Sequence, residues 1–363
     1  MKKLLALFAL LTLVPGVASA STLFMGAYPN SVIVFDEAKG QIVDRIPLTT
    51  GVPISMRLSL DKKKIYVVTN DYSGLEVIDV ATRKVANHFV LNTPAKRFRF
   101  NGGGVPDPDG KLYYAVTTEM NKLTDRYDIG KPKYTVIDLE QQRIVKTFDI
   151  AREDENANSG GGRIGLEISP DGKYLYQFRD KVVILSTEDF KVVDRIELAK
   201  PDFPGMENVG FGGLLDSIGE PGQHTSVFIS ADPIVHNRVF GIARFDLTTR
   251  QVNFTPIGPS PEGMAGLQVA PDKKNAYTVI TNGQLGNKRC EFWGFDLATN
   301  HITQRAEVPC RSRFSFGMAG DGKKLYFYGA GFEIEVYDAA TFKYERTWDL
   351  NNDITGAGMI VIN

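Results

Sequence analysis

An alternating run that ends in an acidic residue just before a turn recurs along this chain, and it constrains the fold more than any other feature. It reads VIVFD ending at Asp36, LEVID at Asp79, YTVID at Asp138, IARFD at Asp246, FWGFD at Asp296 and IEVYD at Asp338, with VVILS ending at Ser186 as a degenerate seventh copy. In four copies a Thr follows three residues later (Thr82, Thr249, Thr299, Thr341), a polar turn residue whose side chain bonds local backbone and ends a strand. A further β-rich run, such as VANHFVL or VVDRIEL, comes next. A strand-turn-strand-turn-strand unit cannot bury both faces alone, so it needs copies of itself alongside.

A second marker precedes the run in most copies: SLDKKKIYVV from Ser59, DPDGKLYYAV from Asp107, SPDGKYLYQF from Ser169, APDKKNAYTV from Ala270 and AGDGKKLYFY from Ala319. Pro presets the first turn dihedral and Asp-Gly supplies the permissive positions of a hairpin. The markers lie roughly 40 to 60 residues apart except across a long Gly/Pro/Asp segment at 200–240, the period of four-stranded propeller blades rather than helical solenoids. The residues before the first marker supply only three strands (TLFMGAY, SVIVFDE, QIVDRIPL), and GAGMIVIN from Gly356 to Asn363 supplies one. Joined in one sheet they complete a blade and close the ring, removing two open edges. The expectation is an all-β, seven-bladed propeller of four-stranded antiparallel blades over residues 21–363, closed by pairing of its N- and C-terminal strands.

Residues 1–20 read differently. Lys2 and Lys3, an apolar run from Leu4 to Val14 and Ala18-Ser19-Ala20 have the parts of a secretory signal, which predicts cleavage after Ala20 and a periplasmic location. No other apolar stretch is long enough to span a bilayer. The remainder carries 40 basic against 43 acidic side chains, a balance that argues against nucleic acid or an anionic membrane as the main partner.

Signals of chemistry are sparse. No C-x-x-C-H haem site, phosphate loop or G-x-S-x-G elbow is present. The histidines lack tight ligand spacing; His224, Asp232 and His236 share the 200–240 segment, but a polar loop with two imidazoles is a weak metal signal. Cys290 and Cys310 flank the ATNH turn symmetrically, so strands paired about that turn bring them together as a disulfide in an oxidising compartment. Arginines recur near the innermost strands: Arg57, Arg97, Arg99, Arg163, and Arg311 with Arg313. Converging at the channel mouth they would take carboxylate or phosphate groups; alternatively they pair with acids of neighbouring blades. Two inserts, 118–133 and 200–240, rise off the blades and carry Met120, Tyr127, Phe203, Met206 and Phe211 as candidate interface anchors.

Tyr66-Val67-Val68-Thr69-Asn70 followed by VIDVATRKV resembles the YVTN family of β-propellers. More finely, the interrupted blade before YTVIDLEQQRIVKTFDI, the long insert before IARFDLTTRQV and the ending EIEVYDAATFKYERTWDL resemble the β-subunit of quinohaemoprotein amine dehydrogenase. The resemblance implies a periplasmic seven-bladed propeller that binds no cofactor itself. Its expected partners are a dihaem cytochrome c subunit and a small subunit carrying cysteine tryptophylquinone, and the complex oxidises primary amines. It assigns no catalytic residue to this chain. The other readings are a stand-alone exported propeller that binds a protein or ligand, and a propeller enzyme such as a lactonase.

Overall fold

Each recurring acid closes a turn of one geometry. Asp79 Oδ1 accepts from the Thr82 backbone N–H at 2.8 Å and from its hydroxyl at 2.7 Å, and Asp296 and Asp338 repeat the pattern with Thr299 and Thr341. Four residues after the acid, or after Ser186 in the degenerate copy, the chain takes a left-handed conformation in all seven copies: Gly40, Arg83, Gln142, Phe190, Arg250, Asn300 and Phe342 have φ between 55° and 63°. The strand register slips beside this turn, as between Val77 and Ile78 or Gly294 and Phe295, because the left-handed residue adds a β-bulge to the hairpin.

The computed structural model describes residues 21–69, 73–154, 165–178, 181–198, 208–211, 222–232, 234–311, 314–329 and 331–363. The expected leader 1–20, with Arg163, Phe203, Met206 and Arg313, lies outside the described residues, as does the side chain of Phe211. Seven sheets form a ring of antiparallel blades. Blade 1 runs outward from the channel as Pro53–Leu58, Lys64–Thr69, Gly74–Asp79 and Lys84–Val90. Blades 2 to 6 follow in chain order. Blade 7 is shared: Ile354–Ile362 is its inner strand, beside Thr22–Ala27, Ser31–Asp36 and Gln41–Pro47. Thr22 pairs with Ile362 and Phe24 with Ile360. A clasp completes the seam, with Ser21 Oγ donating to Asn363 Oδ1 at 3.1 Å and Asn363 Nδ2 donating to the Gly320 carbonyl at 2.8 Å.

Seven apolar clusters hold the ring, one between each pair of neighbouring blades. The two-residue period of a strand explains how one blade feeds two of them. Phe24, Val32 and Val34 of blade 7 pack with Ile65 and Val67 of blade 1, whereas Leu23, Ile33 and Phe35 face the other way onto Tyr326 and Val336 of blade 6. Second and third strands are therefore apolar on both faces, while outer strands such as His301–Val308 alternate exposed and half-buried residues. A tyrosine recurs at the third position of the second strand. Tyr176 Oη donates to the Leu247 carbonyl of the next blade at 2.6 Å, bolting the two together.

Two expectations gain detail. The 118–133 insert is a β-hairpin, Leu112–Lys122 with Tyr127–Asp138, not a loop. Within 200–240 lie an inner strand (Asn208–Phe211), a second strand (Gln223–Ala231) and the start of a third (Arg238–Asp246) of blade 4.

Candidate functional site

Two ends of the ring differ in character. One carries the Ser/Pro-Asp turns and the acid-closed turns; the other carries the hairpins that join second to third strands. The rung of inner-strand residues second from the turn end holds Arg57, Val105, Glu167, Gln268 and Gly317, each paired in register with the recurring tyrosine (Tyr66, Tyr114, Tyr176, Tyr277, Tyr326). Arg57 and Glu167 thus occupy equivalent positions of blades 1 and 3, and the ring's curvature brings them together. The Arg57 guanidinium donates to Glu167 Oε2 and, at 3.0 Å, to the Leu166 carbonyl.

On the far side of Glu167 stands His224, its Nδ1 3.8 Å from Oε1 and its ring stacked on Phe178 at 4.0 Å between centroids. Both are buried. Burial pushes the Glu167 carboxyl up, but the positive charge of Arg57 and the hydrogen bond with His224 more than offset it, leaving the group below the ordinary carboxylate range. A cavity of about 70 Å³ opens beside the pair, lined also by Asp61, Lys64, Tyr66, Asp107 and Gln223. That falls well short of the roughly 300–1,000 Å³ typical of organic-ligand sites. The buried Tyr66 hydroxyl borders it without a hydrogen-bond partner, and burial, with Asp107 and Asp61 nearby, raises that phenol above its usual range.

Among the described residues the predicted arginines, Arg57, Arg97, Arg99 and Arg311, do not share one rung. Arg97 and Arg99 pair with Met120 and Thr118, four to six rungs farther along, or about 13 to 20 Å at strand rise, and both are exposed at the hairpin end. Arg97 lies over the Tyr127 ring at 6.0 Å. Arg311 pairs with Glu333 at 3.0 Å and Glu335 at 2.7 Å. The sequence pointed to His224 only alongside Asp232 and His236 as a weak metal signal and not to Glu167; the available signal was an acid at the position of blade 3 that Arg57 fills in blade 1. His224 is the second residue of Gln223–Ala231 and His236 lies beyond that strand's far end, so the two stand at opposite ends of blade 4. The disulfide joins Cys290 to Cys310, with Cα atoms 5.1 Å apart. Cys290 is paired in register with Val308 rather than Cys310, because the hairpin, in which Asp296 faces His301, is centred between residues 298 and 299 and not on residue 300. The bond therefore tethers the crossover from blade 5 to blade 6.

Apolar exposure is concentrated at the hairpin end. Of eleven exposed large hydrophobic residues among the described residues, seven sit there: Leu123, Tyr127 and Ile129 on blade 2, Ile234 and Val235 on blade 4, Phe332 on blade 6 and Tyr28 on blade 7. At the opposite end Leu60 lies in a turn, with Val193 and Tyr344 beside the acid-closed turns. Met120, half-buried, pairs with Ile129 on the blade 2 hairpin. On blades 2 and 4 these residues come in groups, whereas apolar residues exposed singly, as on blades 6 and 7, are normal for a protein surface.

No protein-family model and no curated protein matches this sequence. Solved structures do. Apo AztD from Citrobacter koseri superposes with a TM-score of 0.56 at 14% identity, over 94% of this chain and 98% of that one. The periplasmic gluconolactonase PpgL of Pseudomonas aeruginosa gives 0.54 at 12% identity, over 95% and 99%. Dihydro-heme d1 dehydrogenase NirN, in complex with DHE, gives 0.52 at 15% identity, over 94% and 75%. The likeness is one of fold. At these identities it carries no function across, since propellers host unrelated activities.

Proposed function

We propose that this chain is a non-catalytic propeller subunit of a periplasmic amine-oxidising complex of the quinohaemoprotein type. Its partners are a dihaem cytochrome c subunit and a small subunit bearing cysteine tryptophylquinone. The redox chemistry resides in those partners, and this chain supplies a rigid ring against which they seat. The observation that carries the reading is the one-sided display of apolar side chains at the hairpin end, the pattern of a surface meant to be covered. The blade-pattern resemblance supplies the identity of the partners. The ion-paired channel rung, with its small cavity, supports a structural role for this chain.

Native purification from periplasm, with measurement of mass and visible absorption, tests the proposal. A complex well above the chain's 40.1 kDa, with a haem spectrum and a haem-staining band, is the expected result. A colourless monomer that recruits no haem protein leaves the stand-alone binding module as the better account.

A further inference from the structure

We infer that the three-stranded ribbon of blade 2 at the hairpin end is the docking element, and that its occupant is a protein surface with an apolar centre and an acidic margin. This rests on the reading of the chain as a subunit and adds the chemistry of the contact. The ribbon consists of Lys96–Phe100, the distal half of Leu112–Lys122 and the proximal half of Tyr127–Asp138. Lys96 to Phe100 pairs with Thr117 to Asn121 rather than with the body of the blade, where Val105–Pro106 takes over as the inner strand.

Length sets the ribbon apart. The second strand of blade 2 has eleven residues against six in blade 1 and nine in blade 4, and all three begin level with the acid-closed turn. At about 3.4 Å per residue the ribbon stands roughly 17 Å beyond the hairpin of blade 1 and 7 Å beyond that of blade 4. A solvated extension of this kind adds little burial to the blade's own core. Its tip bears Leu123, Tyr127 and Ile129, exposed by 42%, 46% and 67%, with the Arg97 guanidinium over Tyr127.

Charge selects the occupant. Over residues 96–100 and 117–133 seven Lys and Arg stand against three acids, Glu119, Asp125 and Asp128, on a chain whose net charge is −1. A basic margin around apolar anchors is complementary to an acidic margin around an apolar pocket. A second copy of this chain fits poorly, because a two-fold contact sets the same patch against itself and opposes like charges. A lipid surface also fits poorly. The apolar tips are stepped rather than level, and Asp125 and Asp128 sit beside Tyr127, where an anionic bilayer would meet them.

The test uses the natively purified protein and two variants, Lys122→Glu/Arg126→Glu/Lys131→Glu and Tyr127→Ala/Ile129→Asp, each first shown to melt as the wild type does. Carbodiimide treatment, which joins lysine amines to carboxylates at zero length, is followed by mass-spectrometric mapping. We expect links from Lys122 or Lys131 to Asp or Glu of a different polypeptide. Charge reversal should weaken that association about tenfold or more, and added salt should weaken the wild-type contact likewise. The apolar variant should lose it at every salt concentration. Links between two copies of this chain, association unchanged in both variants, or pelleting with phosphatidylglycerol vesicles in place of a protein link would each overturn the inference. An acidic but colourless partner would leave the ribbon standing and remove the quinohaem reading. A haem-containing complex linked elsewhere would do the reverse.

Discussion

Arg57, half-buried, and Glu167, buried, form an ion pair between blades that are not neighbours, so the Glu167 carboxylate depends on Arg57 for its burial to be tolerable. Removing one partner of such a pair typically costs about 3–5 kcal/mol, whereas replacing both by apolar residues is often neutral. Arg57→Ala should therefore lower stability in urea unfolding at pH 7 by about that amount, and Arg57→Met/Glu167→Leu should recover most of it. The pH dependence follows from the sign of the shift. The Glu167 carboxyl is held below its ordinary value of 4.5 in the folded state, so its contribution is complete above that value and is lost as pH falls through the folded one. The gap between wild type and Arg57→Ala should accordingly narrow as pH falls below 4.5; a gap that persists at the acid limit would contradict the assignment. Cys290 and Cys310 close a separation of 20 residues, for which the chain-entropy account gives roughly 3 kcal/mol. Cys290→Ser/Cys310→Ser should melt lower by a corresponding amount, and reductant should no longer shift its midpoint. The cysteine pair was legible from the symmetry of two residues about one turn. Glu167 was not, because its meeting with Arg57 depends on ring curvature that no local pattern carries.

The strand Ile354–Ile362 supplies the innermost ladder of blade 7 and contributes Ile354 to the core shared with blade 6 and Ile360 to that shared with blade 1. Deleting residues 354–363 would uncover the ladder edge of Thr22–Ala27, a template for pairing with other chains. Such a truncation should aggregate, as read by light scattering; a soluble product with unchanged melting temperature would refute the closure. This closing strand could be anticipated because three strands at one end and one at the other sum to a blade. The blade 2 hairpin could not. Its distal strands are polar where they are buried, at Thr117 and Thr118, and exposed from Tyr127 to Lys131, so TTEMNK and YDIGKPK show no apolar alternation and read as loop, although backbone pairing extends them. In blade 4 the second strand, QHTSVFISA, was absorbed into an apparent insert because no Pro-Asp turn announces it.

Seven blades linked pairwise by seven shared cores make the ring a closed chain of dependencies, and unfolding should be a single cooperative transition by circular dichroism and tryptophan fluorescence alike. The seam in blade 7 is then only one place among several to break the backbone. Joining Asn363 to Ser21 by a short Gly/Ser linker and opening the chain at residues 260–262 should give a soluble permutant that melts within a few degrees of the parent; failure to fold would mean the seam itself has a special role. Repeat number and closure were readable because every copy obeys the same turn chemistry, while the difference between the two ends was not, since exposure depends on which tips outreach their neighbours. The shared blade also sets a schedule. Of the ring's own strands Thr22–Ala27 is the first a ribosome completes and Ile354–Ile362 the last, so the first strand waits for all of blades 1 to 6 before the neighbour that covers its inner edge is made. A chain interrupted before Ile354 therefore cannot close its ring.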